Sequence, residues 1–264
     1  MQKSTLQVPK STQIRVAEDL IENSRLDASF YLMLVLSTIV VTLGLLVGNT
    51  AVIIGGMLIT PLMTPILALS LGIVISDKLL IWRAIKTISR AVGIILGVSV
   101  LISFFFPLGI NEEIKSRLVS NIPYFLIAFS AGLAATFAWS KKNMSAMLPG
   151  VAIAVSLLPP LSVVGIGISQ ISIELVRGSF LSFILNLFGI ALGSVIVFSL
   201  LNFHKTKKET AKVMREEIRA EEQQKEAVIK NGIKEELKKE QVIKEEVKKE
   251  LKKEIKAEIE KQER

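Results

Sequence analysis

Two stretches of the 264-residue chain interrupt long apolar runs with prolines, glycines and small polar side chains, and these are the residues best suited to meet a solute. The first holds Asn49, Thr50, Gly55, Gly56, Thr60, Pro61, Thr64, Pro65 and Ser70. The second holds Asn143, Ser145, Pro149, Gly150, Ser156, Pro159, Pro160 and Ser162. Proline inside an apolar helix removes an amide donor and frees the carbonyl one turn back. Gly55-Gly56 and Pro149-Gly150 permit close backbone approach or mark the start of a half-helix. A half-helix N-terminus within a membrane attracts an anion, whereas carbonyls bared beside the prolines suit a cation. The residues are compatible with both. Each hydroxyl also has an ordinary use, a bond to the carbonyl one turn back. Asn186, central in the last apolar segment, either hydrogen-bonds another helix or lines a cavity. Asp77 and Glu174 follow the two interrupted segments, where they are candidate gates at opposite mouths of a pathway or solvated loop residues.

Other chemistries lack their parts. The chain has no cysteine, so it offers no thiol nucleophile, disulfide framework or zinc ribbon. His204 is the one histidine, with no partner motif for a metal. Neither a nucleophile elbow nor a phosphate loop occurs in a suitable context, and no acid or base falls clearly mid-span, where proton-coupled machines need one. We therefore expect no enzyme, no cofactor and no metal site. The net charge is +8, but most basic residues alternate with Glu near the C-terminus, so no basic stripe forms to track nucleic acid.

Half of the residues are hydrophobic and mean hydropathy is +0.52, too apolar for an ordinary soluble fold. Six segments approach the roughly 20 residues a span needs: Phe30–Val47, Ala51–Ile75, Ala91–Ile110, Ile122–Trp139, Met144–Ser169 and Gly178–Leu201. If all six cross, one side receives Lys3, Lys10, Arg15, Arg25, Lys78, Arg83, Lys86, Arg90, Lys141, Lys142 and the tail. The other receives only Lys115, Arg117 and Arg177, beside Glu112, Glu113 and Glu174. Basic loops stay cytoplasmic, which predicts cytoplasmic N- and C-termini. Tyr31, Trp82, Tyr124 and Trp139 all fall at or near segment ends, as an aromatic belt requires.

A three-segment unit repeats. Gly93-Ile94-Ile95-Leu96-Gly97 recurs as Gly189-Ile190-Ala191-Leu192-Gly193 at a shift of about 96 residues; other matches pair Pro65 with Pro159 and Gly72 with Gly165. A unit of three spans ends on the side opposite to its start, so its copy is inverted, the plan of many secondary transporters. The expected fold is an all-α integral membrane protein of about six helices. Two inverted three-helix repeats have Pro-broken second and fifth helices, and a long charged C-terminal helix follows. The domains are 1–28, a cytoplasmic amphipathic segment; 29–110 and 111–203, the two repeats; and 204–264, the charged tail. The glycine pairs Gly93/Gly97 and Gly189/Gly193 are expected to serve close helix packing.

The run Val52-Ile53-Ile54-Gly55-Gly56-Met57-Leu58-Ile59-Thr60-Pro61-Leu62-Met63-Thr64-Pro65-Ile66 closely resembles the hallmark of a prokaryotic membrane family catalogued as domain of unknown function 389. Leu148-Pro149-Gly150-Val151-Ala152-Ile153-Ala154-Val155-Ser156-Leu157-Leu158-Pro159-Pro160 supplies a second match. The resemblance covers roughly residues 29–203. It implies a multi-span protein of an inner or plasma membrane and supplies no activity. Many members carry a soluble domain before the membrane region, which this chain replaces with a short segment.

The ends differ from the middle. Ile14, Ala17, Leu20 and Ile21 form one stripe of a short amphipathic helix, read as lying at the cytoplasmic interface. In the tail, Val247, Leu251, Ile255 and Ile259 recur every fourth residue among Glu and Lys, with a break expected at Asn231-Gly232. A row every four residues drifts around the helix, so a heptad coiled coil is poorly specified. An isolated charged helix and an oligomer-forming bundle both fit. Expected partners are the lipid bilayer, further copies of the chain and a cytoplasmic protein at the tail. Functionally, a permease-like transporter of a small solute or ion fits best. A channel of the same architecture and a non-transporting scaffold are the alternatives.

Overall fold

The computed structural model describes residues 8–24, 26–141 and 157–220, and residues 222, 223, 226, 227, 229, 230 and 244 of the following segment. The chain divides into two compact units, Met1–Met214 and Arg215–Arg264. All described residues of the second are helical; the expected tail break at Asn231-Gly232 and the row from Val247 to Ile259 lie outside the described residues.

Helices make up the first unit, and no strand occurs among the described residues. In chain order they are α1 (Lys10–Glu22), α2 (Ala28–Val47), α3 (Thr50–Leu58), α4 (Met63–Ile75), α5 (Lys78–Phe105), α6 (Glu112–Ser116), α7 (Ile122–Ser140), α8 (Leu158–Ser169) and α9 (Ile173–Leu200). A 3-10 turn at Phe203–Thr206 follows, then helical residues from 207. Four helices, α2, α5, α7 and α9, are long and apolar enough to cross a membrane. α3 and α4, bent by 54° at their break, form a broken span, which makes a fifth, or a re-entrant loop. They leave Phe104, Phe105 and Phe188 more than half exposed, a surface that water would penalise and lipid would not. Of the expected fifth span, Met144–Ser169, the structure describes only α8 and Leu157.

Two expected boundaries are corrected. The third span begins at Lys78 rather than Ala91, and the last at Ile173 rather than Gly178. Each helix has 28 residues, about 42 Å at 1.5 Å per residue, longer than the roughly 30 Å hydrocarbon layer. The backbone ladder is indifferent to charge, so Arg83, Lys86 and Arg90 continue the helix where hydropathy alone suggested a loop. Their caps explain the starts. Asp77 Oδ1 accepts from the amides of Leu79 and Leu80, both at 2.9 Å, and Ser172 Oγ accepts from that of Leu175.

Side-chain contacts tie each end of the bundle together. At one end, Asn111 Nδ2 donates to the carbonyls of Leu45 (2.7 Å) and Leu46 (3.2 Å), Thr50 donates to Glu113, and Gln170 donates to Leu108 O at 3.1 Å. At the other end, α1 packs on α4 and on the 3-10 turn. Its buried face is Gln13, Val16, Ala17, Leu20 and Ile21, so Gln13 and Val16 stand where Ile14 was expected. Gln13 Nε2 bridges the carbonyls of Val8 (3.1 Å) and Leu201 (2.8 Å), closing the end of α9. Gln13→Ala should therefore cost about 1–2 kcal/mol, read as a lower melting temperature of the detergent-solubilised protein. An unchanged melting curve would show that water satisfies both carbonyls.

Candidate functional site

The first interruption is a true break. α3 ends at Leu58, and Thr60 folds back over it, its hydroxyl donating to Gly56 O (3.0 Å) and its amide to Met57 O (3.3 Å). Thr60 and Ser70 thus make the ordinary backbone bond, Ser70 to Ile66 O at 3.0 Å. Thr64 reaches further, donating to Asn23 O at 3.0 Å and so tying the start of α4 to the α1–α2 turn. Gly56 lies against α2, where a Cβ would meet Val41 Cγ2 at 2.6 Å; Gly55 faces open space. Asn49 caps α3 through the amide of Val52, and Thr50 is held at the α6 end, so neither lies at the break.

Of the second interruption, Asn143, Ser145, Pro149, Gly150 and Ser156 lie outside the described residues. Pro159 and Pro160 form the second and third residues of α8, whose first ten residues are all buried. Ser162 Oγ is buried there and makes no hydrogen bond among the described residues. Asn186 is buried on α9. Asp77 and Glu174 do not correspond: Asp77 caps α5, its counterpart as a cap is Ser172, and Glu174 is an exposed residue of the first turn of α9. Among the described residues no group of three His, Asp or Glu could hold a metal ion.

Capping sets the two half-length helices apart from every other described helix except α1, which also starts without a side-chain cap. α2, α3, α5, α6, α7 and α9 each have a side-chain cap (Asp27, Asn49, Asp77, Asn111, Asn121 and Ser172). α4 and α8 begin at Leu62 and Leu157 with none. A buried uncapped start would strand up to four amide donors. Prolines remove part of that deficit, Pro65 in the third position of α4 and Pro159 and Pro160 in α8. The prolines therefore sit inside the first turns of the half-helices, where they lower the cost of burying an end with no cap.

These helices pack crosswise. α4 lies on α5 and also on α9, where Ser70 Oγ donates to Ala191 O at 3.3 Å. α8 lies on α9 and also on α5: a Cβ on Gly165 would stand 2.5 Å from Ser99 Cβ and 3.1 Å from Leu96 O. Ser99 in turn shares a 3.0 Å hydrogen bond with Thr42 of α2. On the other side, Ser194 Oγ donates to Ile190 O at 2.8 Å and to Gly132 O of α7 at 3.5 Å. Lys78 and Ile173, Phe105 and Leu200, Pro65 and Pro160, and Ser99 and Ser194 are each 95 residues apart. At that spacing Pro65 falls on Pro160 and Gly72 on Gly167, rather than on Pro159 and Gly165. Gly72 and Gly167 each let the following helix approach, with backbone nitrogens of Ile81 and Val176 at 3.2 and 3.0 Å from the Cβ position. Gly189 and Gly193 are closely packed on α7, whereas Gly93 and Gly97 face open space, contrary to the expected packing role.

A pocket of about 490 Å³ opens between the α1–α2 turn and the first break, lined by Glu22, Asp27, Phe30, Met33, Ile59 and Pro61 among others. Nothing in the sequence alone joined Glu22 and Asp27 to the break; the Asn23–Thr64 bond does so across 41 residues.

A family model described as a domain of unknown function, DUF389, matches residues 57–192, from the end of α3 to the C-terminal half of α9. The chain belongs to this family. The DUF389 match takes in the first break, α8 and the crossed pairing. An uncharacterised protein of the archaeon Methanocaldococcus jannaschii is 35% identical over 169 residues, which cover 64% of this chain and 52% of that protein. The DUF389 chain thus spans about half the length of that relative. No solved structure matches it.

Proposed function

We propose that this DUF389 protein is a permease-like membrane transporter, in which two inverted three-helix units move a small solute past the broken helices. The observation that carries this reading is the crossed packing of the two half-length helices, α4 on α9 and α8 on α5, about the 95-residue spacing. Side chains at helix ends and interfaces recur with it. Discontinuous helices at the interface of two repeats are where secondary transporters hold their substrates. The two breaks are packed unequally, the first beside a pocket and the second closely filled in its described part, as a conformation open to one side would be. Six crossings put the pocket on the Lys- and Arg-rich side, with both termini, and make that side cytoplasmic. The charged tail is then a cytoplasmic helix for self-association or a partner protein. No enzymatic step is part of this reading.

The absence of cysteine makes the test direct. Single cysteines at Ile59, Glu112 and Lys205 should react with a membrane-impermeant maleimide from defined sides of oriented proteoliposomes. Ile59→Cys and Lys205→Cys should label from one side, Glu112→Cys from the other. Labelling of all three from one side would refute the six-span topology. If labelling at position 59 is indifferent to every solute that drives flux, the break is not the pathway.

A further inference from the structure

We propose that the pocket beside the first break binds a cation carrying an apolar body, of the class of a protonated primary amine on an aromatic or alkyl group. This rests on the transporter reading for its consequence, since it names the substrate class of that site, but binding is measurable without it. Three features converge.

The first is the shortage of donors for an anion. A half-helix start holds an anion through the amides of its first turn. In α8 two of the first three residues are proline, and in α4 the third is. The residues that line the pocket include none from the first turn of either half-helix, and at the start of α2, which does line it, Asp27 already accepts the amide of Phe30. The second is the opposite pole of α3. The helix runs from Thr50 to Leu58, and Ile59 and Pro61 line the pocket directly after its last turn. That end carries the partial negative charge of the last carbonyls. The third is the pair of carboxylates, Glu22 and Asp27, in the same wall. Asp27 accepts the amide of Phe30 at 2.7 Å through Oδ1, which fixes that carboxylate at the rim. Phe30, Met33 and Ile59 supply an apolar wall, so a bare metal ion would leave much of the pocket wet, whereas an ammonium with a hydrocarbon body matches both surfaces.

The probe is phenethylammonium, titrated calorimetrically into full-length protein in phosphatidylglycerol nanodiscs, beside neutral 2-phenylethanol and anionic phenylacetate. Saturable binding of the ammonium is expected, at least tenfold weaker for the alcohol and undetectable for the carboxylate. Glu22→Gln with Asp27→Asn removes both charges while keeping the α2 cap and should weaken binding at least tenfold. Met33→Trp fills the pocket without changing its charge and should do the same; melting curves confirm that both variants fold. Equal affinity for all three probes, or binding untouched by both variants, overturns the proposal, as does the lack of any saturable heat. Repeating the titration with phosphatidylethanolamine in the disc separates two sources of the same ammonium. Competition assigns the pocket to the lipid headgroup, and its absence assigns it to a free amine. Binding without uptake of radiolabelled phenethylammonium into proteoliposomes would remove the transporter reading and leave the pocket. Uptake that survives both variants would remove the pocket and leave the transporter.

Discussion

Gly132→Val should separate α7 from α9 and cost at least about 3 kcal/mol, while Gly97→Ala should be silent or slightly stabilising. The two glycines have opposite surroundings. A Cβ on Gly132 would overlap the Ile190 carbonyl oxygen and lie 2.7 Å from Ile190 Cα, both backbone atoms that no rotamer change can move. The helices would have to part, and with them the contacts around Gly189, Gly193 and Ser194. At Gly97 nothing stands within 4 Å, so an added methyl meets only the surroundings of the bundle and the helix gains propensity. Thermal melting in detergent, with size-exclusion profiles to detect aggregation, reads the difference. A Gly132→Val protein that melts with the wild type would show that the α7–α9 interface is not as close as described.

Asn111→Ala should cost about 2–3 kcal/mol, because one side chain performs two tasks. Its Oδ1 caps α6 through the amide of Ile114 at 3.1 Å, and its Nδ2 covers the last-turn carbonyls of α2 at Leu45 and Leu46. A lost cap costs about 1 kcal/mol, and each abandoned buried carbonyl a similar amount. Asn111→Asp divides these terms. It keeps the cap but turns an acceptor toward two carbonyls, so it should be at least as damaging as alanine. If the Asn111→Asp protein instead melts near the wild type, capping dominates and the clasp on α2 contributes little. The exposed pairs nearby are weaker grips. Lys115 lies 2.8 Å from Glu112, whose hydrogen bond and charge hold its ammonium above the usual lysine range. Fully solvated, that pair adds little to stability.

Features that depend on local chemistry were legible in the amino-acid sequence. Pro61 and Pro65 marked a break because proline cannot continue the ladder, and the bend lies there. α2 and α7 were bounded within about two residues because Asp27, Gly48 and Asn121 punctuate apolar runs. What hydropathy could not show was helix beyond the apolar run. Lys78 to Arg90 is charged yet helical, and the usable signal was the cap at Asp77, not the side chains after it. The sequence matches between the two halves were taken from glycines and prolines, which recur in any interrupted apolar segment, and their shifts varied by a few residues. The caps and paired hydroxyls, Asp77 with Ser172 and Ser99 with Ser194, hold the constant spacing. The clasp of Asn111, the bridge of Gln13 and the pocket at Glu22 and Asp27 each join residues distant in sequence, and one chain carries no pattern for such pairs.

The crossed packing has a consequence for biogenesis. Ser70 and the Ala191 carbonyl that it meets are 121 residues apart. At a synthesis rate of about 5–20 residues per second, α9 emerges on the order of ten seconds after α4. During that interval α4, 13 residues long and started by an uncapped turn, has α1 and α5 beside it but lacks α9. A nascent chain of this family therefore has to shelter its first half-helix against lipid, an insertase or a chaperone until the second half is made. Ribosomal pausing or premature termination before α9 would leave the side of α4 that meets α9 exposed.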